Sequence, residues 1–118
     1  MAVKRINHKG IQILYTDFGN LIKLDEQLQL LEELVTVLKA SPVKVLILSN
    51  FEGASLGPEF MNRSKEVGKQ NQNKISRHAF LGITGLKNIL FQGYAKFTAA
   101  KNIKSFSNEV DALDWLVS

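Results

Sequence analysis

The segment "VKVLILS", residues 43–49, constrains this chain more than any other. Val45, Leu46, Ile47 and Leu48 are apolar on consecutive residues. The run is too short for a helix and lacks the alternation of a half-solvated strand. It has the pattern of a central strand covered on both faces, which belongs to parallel or mixed sheets flanked by helices. The segment "HAFLGIT", residues 78–84, has the same character. Two such strands need helical cover, and the sequence around them supplies it.

Upstream, "VKRINHKGIQILYTDF" reads as two short strands, about Val3–Asn7 and Ile11–Phe18. Lys9-Gly10 makes the turn between them, with Gly10 tolerating positive φ. A connection this tight makes the pair antiparallel, and Ile11, Ile13 and Tyr15 alternate onto one face. In "LDEQLQLLEELVTVLKA", Leu24, Leu28, Leu31, Leu34, Val35 and Leu38 recur at helical spacing. Asp25 or a neighbour is the expected cap, Glu26 suits the positive end of the dipole and Lys39 the negative end.

After Pro42 and the apolar strand, Pro58–Gln70 reads as a second helix with only Phe60, Met61 and Val67 as apolar positions, expected to pack loosely. "LKNILFQGYAKFTAA" gives a third helix. Leu86, Ile89, Leu90, Gly93 and Phe97 are expected against the sheet, with Phe91, Tyr94 and Ala95 as a second, outer stripe. "NIKSFS" is a short strand. "NEVDALDWLVS" is a last helix, capped by Asn108 or Ser107, that buries Val110, Leu113, Leu116 and Val117. The order is β-β-α-β-α-β-α-β-α, a single α/β (mixed α+β) domain over 1–118. The last three strands are expected to be parallel, joined by right-handed crossovers.

Composition narrows the function classes. The absence of cysteine from 118 residues excludes disulfides, thiol nucleophiles and thiolate metal sites. A 45% apolar and 22% charged chain fits a soluble globular domain. No stretch approaches the roughly 18 apolar residues of a membrane span, and no apolar run follows the charged N-terminus as in a signal peptide. A cytoplasmic protein is expected. The net charge of +4 is modest. The tightest basic cluster, Arg63, Lys65, Lys69, Lys74 and Arg77, reads as a solvated face, so no specific nucleic-acid partner is expected.

The loop after the central strand is the first candidate site. Asn50, Glu52 and Ser55 follow the carboxyl end of a parallel strand, where ligands enter open α/β sheets. Gly53 and Gly57 also suit a plain turn, with Pro58 at the first helical position. In "ITGLKN", Gly85, Leu86 and Lys87 open a helix whose free N–H groups are a candidate anion site, although one glycine falls short of a phosphate loop and Thr84 suits an ordinary cap. Asp17 and Glu52 are a candidate carboxylate pair across the sheet edge, with nothing in the sequence to split their pKa values. His8 and His78 lack a third donor at ligand spacing, so neither a metal nor another cofactor is expected. Phe80, Phe106 and Trp115 read as core anchors, with Trp115 one position off the main stripe.

The segments "HKGIQILYTDFGNL" (8–21), "VLILSNFEGA" (45–54), "ITGLKNIL" (83–90) and "EVDALDWL" (109–116), in this order of elements, resemble the STAS-like superfamily, the anti-sigma-factor antagonist fold. Within it they look most like the SpoIIAA-like group of small bacterial stand-alone domains. The resemblance covers nearly the whole chain and includes no catalytic signature. It implies a mixed sheet of four or five strands with helices mainly on one face. It also implies partner switching, or binding of small or lipid-like ligands, without enzymatic activity. In the phospho-switch members the loop after the central strand carries Asp-Ser-Ser-Gly, whose serine a partner kinase phosphorylates. The matching region here reads Ala54-Ser55-Leu56-Gly57. Ser55 is the nearest candidate for phosphorylation, without the acidic residue or the serine pair.

The expectation is therefore a non-enzymatic regulatory or binding module. It would take a protein partner or a small apolar ligand at Asn50, Glu52, Ser55, Phe60, Phe91 and Tyr94, opening by movement of helix 58–70. Homodimerisation is a further use of the apolar surface. Two rival expectations are a phospho-switch regulator acting through Ser55, and a small enzyme or nucleotide binder at the carboxyl edge of the sheet, using perturbed carboxylates or an anion held at Gly85, Leu86 and Lys87.

Overall fold

The apolar run becomes the middle strand of a five-stranded sheet in the computed structural model, which describes residues 3–118. The elements are β1 (Val3–His8), β2 (Ile11–Asp17), α1 (Leu24–Ala40), β3 (Val45–Asn50), α2 (Pro58–Gln70), a 3-10 turn (Gln72–Lys74), β4 (Ile75–Leu81), α3 (Leu86–Thr98), β5 (Ile103–Phe106) and α4 (Glu109–Leu116). The strands lie side by side in chain order, β1 antiparallel to β2 and every later pair parallel. The expected order and mixed sheet are those observed, and β2 belongs to the parallel set as well.

Strand alternation divides the sheet into two faces. Leu14, Phe18, Ile47, Phe51 and Phe80 meet residues of α1 and α2 in one cluster, against which α3 also packs. Ile13, Leu48, Ala79 and Leu81 meet Ala112 and Leu116 of α4 in the other. Ile47 and Leu48 are both completely buried, one on each side, which explains the unbroken apolar run. Each such side chain stabilises the fold by about 1.5–3 kcal/mol. Three helices cover the front of the sheet and one covers the back.

Several details differ from the sequence expectations. β4 runs Ile75–Leu81, not 78–84. The chain leaves the sheet at Gly82, which has φ +77°, and a Cβ there would overlap the backbone nitrogen of Glu52. The two loops touch backbone to backbone, so the strand cannot continue. α2 is not loose: Phe60, Met61, Val67 and Gly68 are all buried, and the Phe60 ring packs edge-on against Phe18 and Phe51 at 5.4 and 6.2 Å. α1 begins after Lys23 without a side-chain cap, and Asp25 instead accepts a hydrogen bond from the Glu26 N–H at 3.0 Å. In α4, Asn108 caps as expected, its Oδ1 accepting from the Asp111 N–H at 2.9 Å. Val110 is 63% exposed rather than buried.

The largest correction concerns α3, which is rotated relative to the expected orientation. Leu86, Ile89 and Phe97 are 70%, 66% and 49% exposed. Gly93 is exposed too and approaches nothing. Leu90 faces inward as expected, and Phe91 and Tyr94 join it there. The cause lies in the partners. Phe80 presents its ring on the inner face of the sheet, and Phe91 and Tyr94 meet it edge-on at 4.9 and 6.0 Å. Gly68 of α2 leaves room for the Tyr94 hydroxyl, which a Cβ would overlap.

Candidate functional site

Between the front of the sheet and α1, α2 and α3 lies an apolar cavity of about 60 Å³. Six aromatic rings are among its lining residues: Phe18, Phe51, Phe60, Phe80, Phe91 and Tyr94. Strand alternation turns three polar side chains onto this same buried face: Thr16 of β2, Ser49 of β3 and His78 of β4. Thr16 sits opposite Ser49 in the β2–β3 register. His78 lies diagonally from Ser49, because Ser49 pairs with Phe80. Ser49 Oγ and His78 Nε2 share a hydrogen bond of 2.8 Å, and both residues line the cavity.

His78 is neutral. Burial pulls its imidazole from 6.5 down to about 3, because a charged ring here would lose its hydration. The ring stacks on Phe80 with centroids 4.0 Å apart. Its second nitrogen, Nδ1, is buried with no hydrogen-bond partner among the described residues, and so is Ser64 Oγ on α2, another lining residue. Buried polar atoms in folded proteins are nearly always satisfied. Burial also pushes the Tyr94 hydroxyl up to about 12, so it too is uncharged.

The rim is held by a separate set of polar contacts. Asp17 Oδ1 accepts from the Gly19 N–H at 2.8 Å and from Asn50 Nδ2 at 3.2 Å. Asn50 Oδ1 accepts from the Glu52 N–H at 3.1 Å. These bonds tie the end of β2 to the loop after β3. Lys87, in the first turn of α3, donates Nζ to the Phe51 carbonyl at 2.9 Å and so latches α3 to that loop.

The expected site residues separate into two groups. Phe60, Phe91 and Tyr94 converge on the cavity. Asn50 is at the rim, while Glu52 and Ser55 are exposed. Ser55 takes part through its backbone, its carbonyl accepting from Gln27 Nε2 at 2.7 Å. Asp17 Oδ1 is engaged at the turn by Gly19 and Asn50. Gly85, not Thr84, is the residue at the α3 N-cap, and it carries φ +57°. The Lys87 and Asn88 N–H groups are turned to the Thr84 and Gly85 carbonyls, leaving less of the helix start free for an anion. His8 lies far from His78 and bonds Asp114 Oδ1 at 2.8 Å, a bond that holds the Asp114 carboxyl below its ordinary range. Among the described residues, no group of three His, Asp or Glu is placed to hold a metal. The basic cluster is dispersed. Arg63 pairs with Glu32 at 2.7 Å, Lys74 donates to the Ser41 carbonyl at 2.7 Å, and Arg77 lies over Trp115 at 5.2 Å.

A solved structure covers 98% of this chain with 92% of its own, at a TM-score of 0.73 and 20% sequence identity. It is that of an uncharacterized protein of the DUF3478 family from Shewanella loihica PV-4, described as having a SpoIIAA-like fold. This chain has the SpoIIAA-like fold. No protein-family model matches it, and no curated protein does. At 20% identity the likeness carries the architecture alone, and the chemistry of this SpoIIAA-like domain rests on its own side chains. Sequence reasoning does not single out Ser49, and it weighs His78 only as a metal ligand and sets that role aside. The signal was present in strand alternation: Ile47 and Ser49, like His78 and Phe80, share a face.

Proposed function

We propose that this domain is a non-enzymatic binding module that takes a small apolar ligand between the sheet and α3. The observation that carries this reading is an apolar cavity walled in part by α3, the α-helix with the fewest buried residues. Thr98 is the only fully buried residue among the described residues of α3. The helix follows two glycines with positive φ, Gly82 and Gly85, and is latched at its first turn by Lys87. An apolar cavity of about 150 Å³ holds a benzene molecule, so a space of about 60 Å³ is too small for a ring until a wall moves. α3 is that wall, in place of α2. A ligand that binds only the widened form shifts the population towards it.

Native mass spectrometry of gently purified protein, compared with the denatured sample, tests this directly. A non-covalent organic increment supports the reading. The absence of both an increment and any saturable uptake of small aromatic probes sinks it.

A second reading has its own support. Leu86, Ile89 and Phe97 form an exposed apolar row on α3, and Lys65 and Lys69 lie over the Phe97 ring at 5.8 and 5.2 Å. Exposed apolar residues grouped in this way suit contact with a protein partner or a second copy. A dimer in sedimentation equilibrium that Ile89→Lys dissolves supports it. A monomer at every concentration removes the homodimer.

A further inference from the structure

The interior of the cavity also defines what kind of molecule fits it. We infer that the ligand carries a neutral hydroxyl group that hydrogen-bonds the ring of His78, with the rest of its body apolar. This rests on the cavity reading above and adds the ligand's chemical class.

Three observations converge. First, His78 Nδ1 and Ser64 Oγ are buried, unpartnered among the described residues, and carried by residues that line the cavity. Most of the remaining lining is apolar or aromatic, so two lining residues carry unmet hydrogen-bonding groups in a mainly apolar wall. Second, the histidine is held in place. Nε2 is bonded to Ser49 Oγ at 2.8 Å, the ring is stacked on Phe80, and the residue lies in the middle of a parallel strand. His78 also borders a smaller space of about 10 Å³ bounded by Gly68, Tyr94 and Thr98, so voids adjoin it under both α2 and α3. Third, the charge balance selects against an ionised group. The lining ammonium, Lys87, is engaged with the Phe51 carbonyl. A buried carboxylate without a partner is costly.

A hydroxyl fits because it both donates and accepts. It satisfies Nδ1 whether that nitrogen carries the proton or the lone pair. A hydrocarbon leaves the nitrogen unsatisfied. A carboxylate brings a charge that the neutral ring cannot balance.

Phenol, toluene and benzoate test this, since phenol and toluene differ by hydroxyl against methyl at nearly equal size. The full chain, labelled with ¹⁵N-histidine, is titrated with each while the His78 ring nitrogens are followed by NMR. The same affinities are measured for His78→Phe. Phenol is expected to shift Nδ1 while toluene leaves it nearly unmoved. The preference for phenol over toluene should fall about three- to tenfold in His78→Phe, as loss of one net hydrogen bond implies. If both probes bind and Nδ1 stays put, a buried water meets the nitrogen; the hydroxyl inference is then overturned and the apolar cavity stands. Tightest binding by benzoate overturns it in favour of an anion at Lys87. Binding of none of the three overturns the cavity reading, and this inference falls with it. Should His78→Phe fail to fold, the ring shifts in the unmodified protein decide alone.

Discussion

His78 makes the stability of the domain depend on pH in a defined direction. Its native value near 3 lies below the ordinary 6.5, so the unfolded chain takes up a proton that the folded chain refuses. The associated stability is present above about pH 6.5 and is lost progressively as pH falls towards 3. Between pH 7 and pH 4.5 this residue alone should remove about 2–3 kcal/mol. Urea denaturation at the two pH values, compared with His78→Phe, reads that difference; equal losses in both proteins would contradict it. Gly82 sets a second limit at this scale. Gly82→Ala forces a side chain into positive φ and onto the Glu52 backbone, with an expected loss of at least about 1–3 kcal/mol. An unchanged thermal midpoint would show that the two loops can separate freely. Ser49 and His78 were each legible as inward-facing from strand alternation. Their contact was not, because it depends on the β3–β4 register, which shifts between Val45 and Leu46, and no local pattern encodes a register shift.

At the level of elements, α3 and α2 exchange the parts expected of them. A count of apolar positions suggests that α2 is loose, yet its few apolar side chains are all buried and Phe60 interlocks with two other rings. α3 has more apolar residues and buries fewer. Its sequence carries two overlapping apolar arcs, and only the position of Phe80 and the space above Gly68 select between them. Neither is local to the helix. Amide hydrogen exchange should therefore reach α3 well before α2 and the central strands; equal protection of both helices would remove α3 as the moving wall. Tyr94→Lys, which on an outer stripe would leave the fold intact, should instead destabilise it by about 2–4 kcal/mol, since the change removes a partly buried, inward-facing aromatic ring and places a charge in the apolar wall. Ile89→Lys, on the exposed face, should alter stability by no more than about 0.5 kcal/mol.

For the molecule as a whole, the architecture was legible almost entirely. Unbroken apolar runs marked the strands covered on both faces, a Lys-Gly turn marked the antiparallel pair, and helical spacing placed the four helices. What could not be read was where the interior is incompletely filled, because a void is set by side chains from five or more elements meeting at once. No helix among the described residues is long and apolar enough to cross a membrane.

The division of the sheet into two separate clusters has a mechanical consequence. The rear cluster, with α4 on Ile13, Leu48, Ala79 and Leu81, shares no buried side chain with the front one. The strands are thus kept in register from behind by contacts that a shift of α3 leaves untouched. On the proposed reading the sheet is a partition, with the moving wall on one side and the contacts of α4 on the other.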